Sequence, residues 1–279
     1  MAGHNKWSKI RHRKAVVDKR RGKAWSMCSR AIIVAARTGG GDPSFNYALR
    51  AAMDEARYHN MPADNVERAI KKGLGGATGE DYENCRYEGY GAGGVAIVID
   101  AFTNNRARTA GDVRLILSTN GGKLGTTGCV SHQFDQKGRI LVTGLDTDED
   151  VLIELALGVG ADDVRRTDDE QPQGTIAWEV LCAPTEFAHV RQGLSEKLAP
   201  PIPVSRNPTE RVQPPLPGSG KLAIGESGIE MLPLALTAVA GEDAKSVLEL
   251  VEELEDNEDI KKVYTNADIA DDVLAALGD

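Results

Sequence analysis

No apolar run in the chain approaches the roughly 20 residues that a bilayer-spanning helix needs, so no membrane helix is expected. Cysteine is scarce. Cys28, Cys85, Cys129 and Cys182 stand far apart with no C-x-x-C pair, which argues against both a disulfide framework and a zinc site. Familiar catalytic signatures are missing too: there is no H-E-x-x-H, no G-x-S-x-G and no Walker A sequence. Asp146-Thr-Asp148-Glu-Asp150 resembles the start of a calcium loop. Its sixth position is Val151 instead of Gly, however, and its twelfth is Leu157 instead of Glu. No catalytic residue, no metal and no cofactor is therefore expected, and the chain reads as a non-enzyme.

Acid is what the first 37 residues lack most. They hold Asp18 alone against eleven Lys and Arg, a formal +10. Residues 38–76 carry five charges of each sign, and residues 77–279 net −19, so the whole chain is acidic at −9. A basic arm on an acidic body suits a protein that touches a polyanion at one end only, because the body is repelled by what the arm attracts. An Arg-rich, acid-poor start also resembles a mitochondrial transit peptide. This one is poor in Ser and opens on clustered charge rather than an amphipathic repeat, so a cytoplasmic protein is expected.

At 279 residues two or three domains are expected. Residues 1–78 read as helical. From Lys23 the apolar positions Trp25, Cys28, Ile32, Ala35 and Ala36 follow helical spacing, with Lys23, Arg30 and Arg37 on the opposite face. Gly39–Gly41 ends that helix. Asp42-Pro43 is expected to start a second, with a stripe of Phe45, Ala48, Ala52 and Ala56. A third begins near Pro62, buries Val66, Ala69 and Ile70, and ends at Gly73. Beyond the Gly-rich 73–79, strands and helices alternate. Strands are expected at 95–101, 129–134, 139–143, 175–181, 229–232 and 260–264. Helices are expected at 104–119, 148–158, 184–198 and 242–255, with a last one from Asp268. The fold class is thus α+β: a three-helix bundle followed by α/β sandwiches. Seven of twelve prolines crowd into 200–217 and form a stiff linker or loop.

The strongest functional element is the arm. Lys6, Lys9, Arg11, Arg13, Lys14, Lys19, Arg20, Arg21, Lys23 and Arg30 are candidate phosphate ligands, interleaved with Trp7, His12 and Trp25. By its place in the apolar stripe, Trp25 is assigned to the core. Arg106 and Arg108 open a helix, whose N-terminus is a ready anion site, and Lys123 sits in the Gly-Gly-Lys-Leu-Gly turn 121–125. Simple capping and turn chemistry explains those three residues equally well. Gly89–Gly94 matches G-x-G-x-x-G, but it leads into a strand rather than a helix, so a glycine turn is the better reading than a dinucleotide site.

MAGHNKWSKIRHRK (1–14), ARTGGGDP (36–43), NMPADNVERAIKKG (60–73), YEGYGAGG (87–94), NNRARTAGDVR (104–114) and GGKLGTTGCV (121–130) resemble the YebC/PmpR family. The resemblance implies a helical N-terminal domain (1–78), a central α/β domain (79–136 and 226–279) and a third α/β domain inserted in it (137–199). The Pro-rich 200–225 departs from the family pattern. The resemblance also implies a cytoplasmic, non-enzymatic protein acting on gene expression. Opening directly on the family motif favours the bacterial type over the organellar one. The combined expectation is a transcriptional regulator that binds DNA through its basic arm. The close alternative is a ribosome-associated translation factor binding rRNA, and a third is an acidic protein-interaction scaffold. The expected oligomeric state is a monomer, and no membrane partner is expected.

Overall fold

The computed structural model describes residues 14–75, 82–144, 149–167, 176–198 and 222–270, with side chains from residue 22 onward except at 149. Lys6, Lys9, Arg11 and Arg13 lie outside the described residues, as do 145–148 of the calcium-like stretch and the Pro-rich 199–221. Two compact units emerge, one of residues 1–133 with 233–279 and the other of residues 134–232.

The first unit opens on three helices: α1 (Lys14–Gly39), α2 (Tyr47–Tyr58) and α3 (Ala63–Leu74). The stripe on α1 packs as its spacing predicts. Cys28, Ile32, Ala35 and Ala36 are buried against Leu49, Ala52, Ala56 and Ala69, with Trp25 partly buried beside them. The Trp25 indole N–H donates to the His59 carbonyl at 2.9 Å, which satisfies its polar edge. Helix α3 meets α1 closely because Gly73 has no side chain; a Cβ there would stand 2.7 Å from the Ile33 carbonyl oxygen.

The second helix starts four residues later than Asp42-Pro43 suggests. Asn46 is its N-cap, accepting from the Leu49 N–H at 3.1 Å, while Asp42 instead accepts the Ser44 N–H at 2.8 Å in the preceding turn. Its buried face is Leu49, Ala52 and Ala56. Phe45, expected in that stripe, is 90% exposed.

Strands β1 (Glu83–Tyr90) and β2 (Ala96–Thr103) pair antiparallel in register from Glu83↔Thr103 to Tyr90↔Ala96. The glycine turn between them is a short 3-10 segment at Ala92–Gly94, as the strand that follows it predicts. Helix α4 (Arg106–Thr119) leads to the two-residue β3 (Lys123–Leu124). A strand is expected to begin over residues 129–133, yet they form a turn and a 3-10 segment, because the Val130 and Ser131 amides serve a side chain rather than a ladder.

In the second unit, β4 (Phe134–Gly144), α5 (Glu149–Leu157), β5 (Asp163–Thr167), β6 (Ile176–Cys182), α6 (Phe187–Leu198) and β7 (Ala223–Pro233) form a sheet of order β5-β6-β4-β7. Its core gathers Ile140, Val142, Leu152, Trp178, Val190 and Leu194. Residues 226–232 were assigned to the central domain, but as part of β7 they join this sheet beside β4.

The chain then returns to the first unit with β8 (Thr237–Val239), α7 (Gly241–Asp256), β9 (Ile260–Thr265) and β10 (Ala267–Ile269). Strand β9 completes the sheet β3-β1-β2-β9, and β8 and β10 pair in parallel. Ile97, Ile99 and Val263 of the sheet bury against Val113 and Leu117 of α4 and Val247, Leu250 and Leu254 of α7. Asp268 therefore lies in a strand, not at the head of a last helix, and residues 271–279 are outside the described residues. At the crossing into and out of the second unit, the Leu234 N–H donates to the Gln133 carbonyl at 2.9 Å.

Candidate nucleic-acid interface

Lys14, Lys19, Arg20 and Arg21 fall in the first turns of α1, a stretch whose first turn carries no acid. The partial positive charge of a helix N-terminus adds to theirs there, so the basic character of the arm continues into regular structure.

Farther along α1 the cations meet acid from the same unit. The Lys23 ammonium donates to the Glu255 carbonyl in the last turn of α7, where backbone oxygens carry the negative end of the helix dipole. Arg30, its side chain only 15% exposed, donates to the Glu258 carbonyl at 3.0 Å and lies 3.4 Å from Asp259 Oδ1. Its guanidinium also sits 5.2 Å from the Tyr82 ring centroid. The charged face of α1 opposite the apolar stripe thus docks, at Lys23 and Arg30, on the end of α7 and the residues just after it.

Arg108 converges on the same carboxylate. Its Nη2 donates to Asp259 Oδ2 at 2.7 Å, and the Thr103 and Thr109 hydroxyls donate to that oxygen at 3.1 and 2.9 Å. Burial would raise the Asp259 pKa, but Arg108 and the two hydroxyls outweigh it and hold the carboxyl below its usual value. A cleft of about 360 Å³ opens here, walled in part by Arg30, Tyr82, Arg108 and Asp259. Arg106 points elsewhere, 3.7 Å from Glu83 with both side chains more than half exposed. The Asn105 side chain caps α4 by accepting the Arg108 N–H at 3.1 Å.

The exposed Lys123 sits at the sheet edge on β3. That strand can approach β1 because Gly89 has no side chain: a Cβ would stand 2.6 Å from the Lys123 carbonyl oxygen. Next to it the buried Glu88 carboxylate accepts three backbone N–H groups, from Gly128, Val130 and Ser131, each at 2.9 Å. Burial raises the Glu88 pKa, and those amides pull it down further than burial lifts it.

Sequence reading brought Lys23, Arg30 and Arg108 forward as separate elements, and the structure gathers them around residues 255–259. It missed Asp259 and Glu88. Asp259 looks like one more acid in a solvated run, and Glu88 like an exposed strand residue. The only signal for Asp259 was its place immediately before an apolar strand. Burial pushes the Cys28 thiol up to about 12, aided by Glu55, and raises Cys182 as well, so neither is a ready thiolate at neutral pH. Among the described residues no group of three or more His, Cys, Asp or Glu is placed to hold a metal ion, and no helix is long and apolar enough to cross a membrane.

Comparison with known proteins covers nearly the whole chain. Residues 5–76 match the TACO1/YebC protein N-terminal domain, and residues 82–207 and 202–267 match the TACO1/YebC second and third domain. A "Probable transcriptional regulatory protein" of Natranaerobius thermophilus is 42% identical over 277 residues, 98% of this chain and 99% of the relative. One from Geobacter sulfurreducens is 43% identical over 277 residues, 99% of this chain and all of that one. The crystal structure of a conserved hypothetical protein from Aquifex aeolicus superposes with a TM-score of 0.72 at 37% identity, covering 94% of this chain and 96% of that one. With both terminal and central profiles matched in order and full-length relatives above 40% identity, this chain belongs to the TACO1/YebC family, the YebC/PmpR group that its opening and glycine motifs resemble.

Proposed function

We propose that this protein is a nucleic-acid-binding regulator of gene expression that grips phosphate with its basic N-terminal segment and works by docking rather than by turnover. One observation carries the reading: residues 1–37 hold a formal +10, against −19 for residues 77–279. The names of its full-length relatives support regulation of transcription, and duplex DNA is the first target we propose for the arm. Backbone contacts suffice for such binding and need no base-reading recognition helix. A second reading, a translation factor on ribosomal RNA, is favoured by the exposed aromatics Phe45 and Tyr47, which a duplex backbone would leave unused.

The arm's contribution is electrostatic, so affinity should fall with salt. For about 6 phosphate contacts the slope of log K against log salt is roughly −5 on duplex DNA. Changing Lys9, Arg11, Arg13 and Lys14 together to Glu should abolish binding in a titration at fixed salt, with the circular dichroism spectrum unchanged. Full affinity in that variant would refute the arm as the binding element.

A further inference from the structure

Phe45 is 90% exposed and Tyr47 66% exposed, yet the turn that presents them is firmly held. The buried Asn46 donates through its amide to the Ala35 and Gly40 carbonyls, both at 2.8 Å. Arg50 folds back from α2 to donate to the Pro43 and Ser44 carbonyls, both at 3.1 Å. Gly41 seats the turn on the last turn of α3, where a Cβ would lie 2.6 Å from Leu74 Cδ1. Single exposed apolar side chains are common and need no ligand. Two exposed aromatics flanking the buried Asn46 on a braced turn are a different matter, since a mobile turn would have let Phe45 fold onto the neighbouring apolar surface.

The surroundings select the partner. Arg50 lies beneath the turn, and Arg37, Lys71 and Lys72 stand exposed on the last turns of α1 and α3, the helix ends on which the turn rests. Cations at helix C-termini have a structural use against the dipole. That use leaves the aromatics unexplained. An apolar protein surface would have to desolvate these charges on docking, whereas a nucleotide brings a flat π-face for the ring and a phosphate for the cation. From this juxtaposition we infer that Phe45 and Tyr47 form a stacking platform for unpaired bases, with Arg50, Lys71 and Lys72 placed for the adjoining phosphates. The inference rests on the nucleic-acid reading above and narrows it to single-stranded segments, of RNA or DNA.

The test uses the full chain and three labelled probes of one sequence at one salt concentration: single-stranded RNA, single-stranded DNA and duplex DNA. Replacing Phe45 and Tyr47 by Ala should weaken single-strand binding about tenfold or more, while leaving duplex affinity, its salt slope and the melting temperature in place. The single strand that suffers the larger loss identifies the source of the base. A Phe45→Trp variant should keep single-strand affinity and, measured against the wild-type chain with its own three tryptophans, show extra quenching by the single strand but not by the duplex. Equal affinities for wild type and the double Ala variant on every probe, or an equal loss on duplex and single strands, would overturn the platform while the arm's salt-dependent binding stands. A single-strand response of the variant's emission no larger than that of the wild-type chain would overturn it as well. A wild-type chain that binds none of the three probes would overturn both readings.

Discussion

Arg108 donates to Asp259 across 2.7 Å, and the opposite oxygen of the same carboxylate lies 3.4 Å from Arg30. One buried acid thus ties α1 and α4 to the segment between α7 and β9. Asp259→Asn keeps the size and loses the charge, so it should destabilise the protein by about 2 kcal/mol at pH 7, as expected for charge-assisted hydrogen bonds. The folded pKa of Asp259 is depressed. Its contribution is therefore complete above the unfolded value near 4 and is lost as the pH falls through the folded value. Urea unfolding from pH 7 to pH 2 should show the variant's deficit shrinking on the acid side. A deficit independent of pH would mean that charge is not what Asp259 supplies.

Glu88 is predicted to matter for the loop it anchors more than for the strand it occupies. Glu88→Gln replaces one acceptor oxygen by an amide that faces backbone donors, at a cost of about 2 kcal/mol. Hydrogen exchange should accelerate at Gly128, Val130 and Ser131, whose N–H groups now bond the carboxylate, while β2 amides stay protected. The sign with pH matches that of Asp259, because this pKa is also lowered. Unchanged exchange at those three amides would contradict the anchoring role.

The YEGYG motif makes a backbone demand that Gly89→Ala should expose. Its new methyl would meet the Lys123 carbonyl at 2.6 Å, forcing β3 away from β1 at a cost of about 1–3 kcal/mol. Gly111→Ala is the matched control: nothing lies within 4 Å of its Cβ position in exposed helix α4, so it should gain about 0.5–1 kcal/mol. Melting curves of the two variants should move in opposite directions.

Much of this fold was legible because its signals are local. The Cys28–Ile32–Ala35 stripe has one helical solution, and Val95–Ile99 is a continuous apolar run bounded by a glycine turn, the pattern of a buried strand. Strand β1 escaped because Glu83–Tyr90 alternates charge, Gly and Tyr with no apolar run, and its partner β2 supplies the burial. Phe45 falls in the turn before the second helix because Asn46, not Asp42, makes the cap, while Ala52 and Ala56 keep their buried places in the stripe. For the candidate site, the cations were visible as composition. Their partners were not, since Arg30 and Asp259 are brought together only by the folding of the whole first unit.

The hydrogen bond from Leu234 to Gln133 carries a consequence for the order of events in folding. The first unit is complete only when chain from both sides of residues 134–232 has met. If that stretch is still unfolded, joining its ends means closing a loop of roughly a hundred residues, and the entropy lost grows with the logarithm of its length. Once the second unit has formed, its two ends emerge side by side and the same closure is that of a loop a few residues long. The difference is about five doublings of length, or on the order of 3 kcal/mol. An inserted sheet that folds first lowers the entropic barrier to the unit that contains it.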